Sequence, residues 1–362
     1  MKFPVLIIII ALAACPVPET WAQRRAPRGA EARGREAVER TVAAAPDAAV
    51  ALCINEGDVV VRGWDRPEVQ ARAEGAANLR LQPLGGVPAR RVEVAVTSSE
   101  DGAAGFGDCG SADHVELSVP RGASVSLTTR NGHTEVSGVA EVRVDAFSGD
   151  VGVTRFSRSV EVNSLSGDLS VTDGTGRVRL RAVSGGIEAT GLRRLGDNDV
   201  LDVTSTSGDV MLRDVSYTRV RGATISGNVE MSGALERGGS YDFKTISGDV
   251  IVTLPADASF KLHASVVSNG EVITDFPVTL TPGAAAAHAP PQTTPMPPPP
   301  PAAAAARAHG RGRASVGPGP VPMPGPHPEP PGQARLIGTV GEGDAELRIS
   351  SFSGTLRLKR RQ

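Results

Sequence analysis

The chain is poor in the residues that most binding and catalytic chemistries need. Aromatic side chains make up 3% of its 362 residues, too few for a platform on which bases stack. Neither sign of charge is in excess. Against 38 Lys and Arg stand 40 Asp and Glu, a formal net charge of −2, so no overall field draws the chain to nucleic acid or to an anionic membrane. There are six histidines and three cysteines. No H-E-x-x-H or C-x-x-C spacing offers a zinc site, and no G-x-S-x-G marks a hydrolase elbow. His288, His309 and His327 fall in a Pro-rich stretch, and His114, His133 and His263 stand alone on strand-like segments, where a solvated histidine is the simpler reading. Gly105–Gly110 spells G-x-G-x-x-G, but "SADHVELSVP" follows it. That is a strand pattern where a dinucleotide fingerprint needs a helix, so the stretch reads as a loop.

The longest apolar run, Val5–Ala14, is too short to span a bilayer and follows Lys2, which makes residues 1–22 an export signal. Two processing sites compete. Leu12–Cys15, "LAAC", is similar to a lipobox and would make Cys15 a lipidated first residue, whereas "TWA" before Gln23 is similar to an ordinary signal-peptidase site. Both predict a chain outside the cytoplasm, in the periplasm, at the outer membrane or on the cell surface. A lipid at Cys15 would be its membrane contact. The remaining pair, Cys53 and Cys109, predicts one disulfide in an oxidising compartment, against the alternative of two buried free thiols.

Glycine, by contrast, is abundant at 42 residues, and much of it sits in a repeat. Ser-Gly-Asp or a near variant returns at Gly149, Gly167, Gly185, Gly208, Gly227 and Gly248, at intervals of 18, 18, 23, 19 and 21 residues, and again at Gly354. Weaker copies are "NEGDVVV" (Asn55–Val61), "RNGHTEV" around Gly132 and "SNGEVIT" (Ser268–Thr274). The second and fourth residues after each glycine are apolar, as in Val151 and Val153 or Val210 and Leu212. So is nearly every residue before the serine: Phe147, Leu165, Val183, Ile225, Ile246 and Phe352. The period is that of strands, each with one buried face.

A unit of about 18–21 residues holds two short strands and two turns and cannot bury an apolar face alone. Stacked on its neighbours it becomes one coil of an all-β solenoid, with strands about 4.8 Å apart and inward side chains in columns. The Ser-Gly-Asp corner supplies a glycine for positive φ or close coil packing, and Ser and Asp to bond local backbone groups at the bend. "GLRRLGDND" (Gly191–Asp199) is expected to protrude as a loop. The weaker N-terminal coils before Gly132 and the final strand are expected to cap the stack.

Residues 23–37 read as a flexible lead-in, and 38–280 as the β-repeat domain. From 281 to 333 the chain is Pro, Ala and Gly with almost nothing to bury, the composition of a disordered or polyproline segment. Strand-like sequence resumes at 334–362, so the segment is read as an insertion within one domain.

"VERTVAAAPDAAVALCINEGDVVVRGWDRPEV" (Val38–Val69), the serial "SGDV" strands and the ending "GTVGEGDAELRISSFSGTLRLKRR" together resemble a bacterial family of β-strand-repeat domains of unknown function labelled "putative adhesin". The resemblance covers roughly 38–280 and 334–361. It implies an exported solenoid-type protein and brings no catalytic residues with it.

Asp150, Asp168, Asp209 and Asp249 would line one corner. Asp150 and Asp168, on adjacent coils, are the candidates for a shared Ca²⁺. Gly186 and Asn228 interrupt the row, and turn-forming aspartates are the competing reading. The expectation is a non-enzymatic cell-envelope protein without a cofactor, a β-repeat scaffold or adhesin whose partner is an envelope glycan or a surface protein. The alternatives are a periplasmic accessory of envelope-stress signalling and a carbohydrate-active β-helix enzyme. The basic "LKRRQ" and "GRGR" stretches read as solubilising surface.

Overall fold

In a computed structural model, residues 37–97, 109–268, 270–280 and 334–361 are described. They all fall in the unit Glu36–Gln362, and none is helical. The alternating pattern becomes strands with one inward face: Ser159–Ser166 buries Val160, Val162 and Ser164 and leaves the residues between them at least partly exposed. From Glu141 to Leu254 each coil joins a longer strand of five to eight residues to a shorter one of four or five through the Ser-Gly-Asp corner or its variant. Glu141–Ser148 leads to Val151–Thr154, Ser159–Ser166 to Leu169–Thr172, and Arg177–Ser184 to Ile187–Thr190.

Successive coils stack parallel and in register. Val151 lies beside Leu169, then follow Ile187, Val210, Val229 and Val250. Equivalent residues therefore meet in columns, and the inward columns fill the interior of the stack. The interior is almost wholly aliphatic, with Tyr217, Tyr241, Phe243 and Phe260 as its largest side chains. The stretch Gly191–Asp199 does project. Leu195 is 66% exposed, and the turn is tied by bonds from the Leu195 and Gly196 N–H to Asp199 Oδ2, both 2.8 Å.

At both ends the spatial order departs from the chain order. Val38–Trp64 pairs parallel with Ser124–Asn131 and Thr134–Ser137 on one side, and with Ala89–Thr97 and Gly110–Pro120 on the other. Ala345–Ser353 and Thr355–Arg360 likewise lie between the coil 240–254 and the coil 260–274. The final repeat in sequence is thus an internal rung and not a cap, which corrects the expectation. The edges are covered instead by antiparallel strands: Glu68–Glu74 and Asn78–Leu84 at one end, Ala334–Val340 and Thr279–Leu280 at the other. A reversed strand at the last rung removes the in-register parallel partner that a further coil would need.

Candidate functional site

The repeated corner is a structural device built from three ladders. The glycines form a column in which all but Gly270 have positive φ, as Gly167 has at 116°, and each faces the carbonyl oxygen of the preceding coil's glycine. A Cβ at Gly167 would lie far inside contact distance of Gly149 O. The column runs Gly132, Gly149, Gly167, Gly185, Gly208, Gly227, Gly248, then Gly354, then Gly270, and so records the spatial order of the rungs. Buried hydroxyls bond the same carbonyls: Thr224 Oγ1 donates to Gly208 O and Thr245 Oγ1 to Gly227 O, both at 3.0 Å, and Ser351 Oγ to Gly248 O at 3.3 Å.

The aspartates form the third ladder, and they reach the neighbouring coil, not the local bend as expected. Asp150 Oδ1 accepts the Asp168 N–H at 2.9 Å, Asp168 Oδ1 the Gly186 N–H at 2.8 Å, Asp209 Oδ1 the Asn228 N–H at 2.7 Å, and Asn228 Oδ1 the Asp249 N–H at 2.9 Å. Only a side-chain oxygen on a short stem fits between two coils in this way, which accounts for Asp and Asn at the position. The proposed calcium pair, Asp150 and Asp168, therefore has one carboxylate oxygen each committed to backbone. Among the described residues no three His, Cys, Asp or Glu side chains gather into a metal-binding group. Gly186 breaks the ladder and supplies no oxygen to Asp209. Its Cβ position meets only ordinary contacts, 3.6 Å from Asp168 Oδ1. Gly186→Asn is expected to restore the rung and raise stability by about 0.5–1 kcal/mol, read as a higher urea midpoint; an unchanged or lower midpoint would count against the ladder.

The apolar residue before each serine does not face the core. Phe147, Leu165, Val183, Ile225, Ile246 and Phe352 are 40–60% exposed. The reading that grouped them with the buried positions is corrected here. The glycine corner ends one strand and starts another, so alternation counted across it fails. In-register stacking brings these side chains into one outward column, with Thr206 in its middle and Val267 beyond Phe352. At one coil spacing per residue the column is about 30 Å long. Asp145, Asn163, Arg181 and Thr204 line a shallow groove beside it, together with Leu165 and Val183.

A second shallow groove lies over the short strands, where Gly152 leaves a gap lined by Arg62, His133, Glu135 and Asp150. His133 Nδ1 is 3.7 Å from Asp150 Oδ2, and both side chains are about half exposed, so the pair is open to solvent and screened. His114 and His263 stand 3.7 and 3.9 Å from Glu116 and Glu346, also at the surface. His288, His309, His327, Cys15 and Gly105 lie outside the described residues.

The Sγ atoms of Cys53 and Cys109 are bonded, with Cα atoms 4.5 Å apart. The link joins the intercalated rung Val38–Trp64 to the start of Gly110–Pro120, its outer neighbour.

Two buried tyrosines brace the core near the projecting loop. Tyr217 Oη donates to Gly176 O at 2.6 Å, and Tyr241 Oη to Tyr217 O at 2.8 Å. Burial pushes Tyr217 well above the ordinary tyrosine value, with Asp199 adding to it, and pushes Tyr241 up to about 12 against a lowering bond from the Glu236 N–H. A folded-state pKa above the unfolded one gives stability that is complete below the unfolded value and is lost as pH rises. Urea midpoints are expected to be insensitive to these phenols up to about pH 10 and to fall above it, less steeply in Tyr241→Phe. An equal fall in that variant would remove Tyr241 from the account.

Two solved structures resemble the chain at low similarity. A "putative cell adhesion protein" from Clostridium sporogenes ATCC 15579 is 9% identical, with 90% of this chain and 100% of that one covered at a TM-score of 0.23. A "putative adhesin" from Parabacteroides distasonis ATCC 8503 is 8% identical, with 66% and 90% covered at a TM-score of 0.26. At these scores neither carries an argument about this chain. No curated protein matches it in sequence. The family model described as Toastrack DUF4097 matches residues 50–279, more than half the chain and nearly all of its glycine-cornered coils, and the chain accordingly belongs to the Toastrack family of domains of unknown function.

Proposed function

We propose that the protein is a non-enzymatic, exported cell-envelope scaffold that binds a surface protein along its exposed apolar column. The column is the observation that carries this reading. Soluble proteins rarely leave an apolar strip of this length open, here interrupted by Thr206 alone, and such strips mark interaction surfaces. Here six large side chains recur at one outward position when polar residues would serve a solvated strand equally well. In this proposal residues 1–22 direct export, 23–37 are the lead-in, 281–333 are an insertion, and the Cys53–Cys109 bond suits the oxidising compartment reached. Aliphatic residues dominate the column, which suits an apolar protein face better than a sugar ring.

The test has two parts. A C-terminally tagged chain, and the same chain with Cys15→Ser, is followed through cell fractionation and protease treatment of intact cells. Recovery outside the cytoplasm is expected, and retention in the cytoplasm would sink the proposal. Purified protein is then applied to isolated envelopes. Leu165→Ser combined with Ile225→Ser and Ile246→Ser is expected to weaken binding about tenfold or more, since each change removes roughly 1 kcal/mol of apolar burial. Binding that ignores these changes, or that survives protease treatment of the envelopes, would move the partner to glycan.

A further inference from the structure

The C-terminal rung is held in a slot that any copy of the chain can fill. Ser240–Ser247 and Val250–Leu254 form one coil, and the next coil in sequence begins at Phe260. These two coils do not pair with each other. The chain steps over one rung, and Ala345–Ser353 with Thr355–Arg360 fills it, parallel to both neighbours. The fit is complete: Leu347, Ile349, Leu356 and Leu358 are buried between Phe243 and Phe260 and their neighbours, and Asp249 Oδ1 accepts the Thr355 N–H at 2.7 Å. Every one of these contacts is made by 334–361 as a segment, and none depends on which molecule supplies it.

The connection is far longer than closure requires. Thr279 and Leu280 pair antiparallel with Thr339 and Gly338, so the chain departs and returns on adjacent strands. A turn of about five residues closes such a pair. Instead 53 residues, 281–333, stand between them. At about 3.1 Å per residue, 53 residues can span at most about 160 Å, far more than two adjacent strand ends require.

We propose that two copies exchange residues 334–361 reciprocally, each tail completing the slot of its partner, to give a dimer held by the rung contacts of the closed monomer. Exchange of an identical element needs no new interface, which makes it a low-cost route to a dimer. The closed form holds when the chain is dilute, and exchange gains as its concentration nears the millimolar effective concentration of the tethered tail.

The test uses two full-length variants, Lys244→Cys and Ser350→Cys, whose positions are register partners across the slot. They are unfolded, refolded together at high protein concentration, and then oxidised. A disulfide between the two different chains forms efficiently only when one chain's tail lies in the other's slot. Arg221→Cys with Ser350→Cys, one rung further out and two residues out of register, is the collision control. The expected result is a mixed disulfide about tenfold above the control and a species of twice the monomer mass by light scattering. Both should vanish when 281–333 is cut to about eight residues, with the melting midpoint unchanged. A mixed product no stronger than the control overturns the proposal, as does a dimer that survives the shortening.

Discussion

Gly167→Ala is expected to lower the thermal midpoint by roughly 6–16 °C, while Gly196→Ala leaves it nearly unmoved. At Gly167 the backbone has φ 116°, a region that costs an alanine about 1–2 kcal/mol. The new methyl also points at the carbonyl of Gly149, and a backbone atom has no rotamer by which to withdraw. The coils of Gly149 and Gly167 must part, which weakens the bonds from Gly149 N–H to Ser166 O and from Val151 N–H to Asp168 O, now 3.1 and 2.9 Å. With about 1 kcal/mol for each bond, the total is about 3–4 kcal/mol, or roughly 6–16 °C. Gly196 has nothing within 4 Å of its Cβ position and serves as the control. Because solenoid stability is a sum over neighbouring coils, hydrogen exchange should rise first at the amides of 148–150 and 166–168. A Gly167→Ala protein that melts with the wild type would mean the coils slide apart at little cost, and the column would lose its explanatory place.

Reducing the Cys53–Cys109 bond is expected to cost about 4 kcal/mol, nearly all of it at one end. The bond closes a loop with a sequence separation of 56, and the chain-entropy account assigns a loop of that length about this much. The loop holds most of the outer N-terminal coil, so its release frees Val38–Trp64 to leave the stack. A reductant, or Cys53→Ser with Cys109→Ser, should produce an early urea transition and fast exchange in 38–64. The coils from Glu141 to Leu254 should unfold where they did before. Coincident unfolding of oxidised and reduced protein would show that packing alone retains the rung.

What was legible in the sequence follows from which physical constraints are local. The glycine column announced itself because the same contact, Gly to the previous Gly carbonyl, is imposed at every coil, so the chain repeats its own solution. The positions after each glycine, such as Leu169 and Val171, were placed correctly because they lie within one strand. Phe147 and its equivalents were misplaced because the corner resets the alternation. The direction of the aspartate bonds was hidden for a related reason: a side chain that bonds across coils leaves the same residue pattern as one that bonds within a turn. The rung order at the ends was the least legible. Nothing in the spacing between Leu254 and Phe260 reports that a rung has been skipped, since the residues that fill it lie far along the chain. In retrospect the copy at Gly354 carried a signal. It is a well-formed corner after a long interruption, and such a corner needs neighbours on both sides.

The intercalated ends also bear on how the molecule changes length. An extra repeat appended at either terminus would find no free parallel partner for its long strand, because antiparallel strands already pair with Phe260–Val266 at one end and with Ala89–Thr97 and Gly110–Pro120 at the other. Growth must come from within. Between Glu141 and Leu254 the coils follow chain order, and the intervals from Gly149 to Gly167 and from Gly167 to Gly185 are 18 residues each. Duplicating one such unit would lengthen the stack by about 4.8 Å and add one more side chain to the outward apolar column, leaving both closures as they were. The molecule is therefore a ruler with fixed end-stops, graduated in its middle.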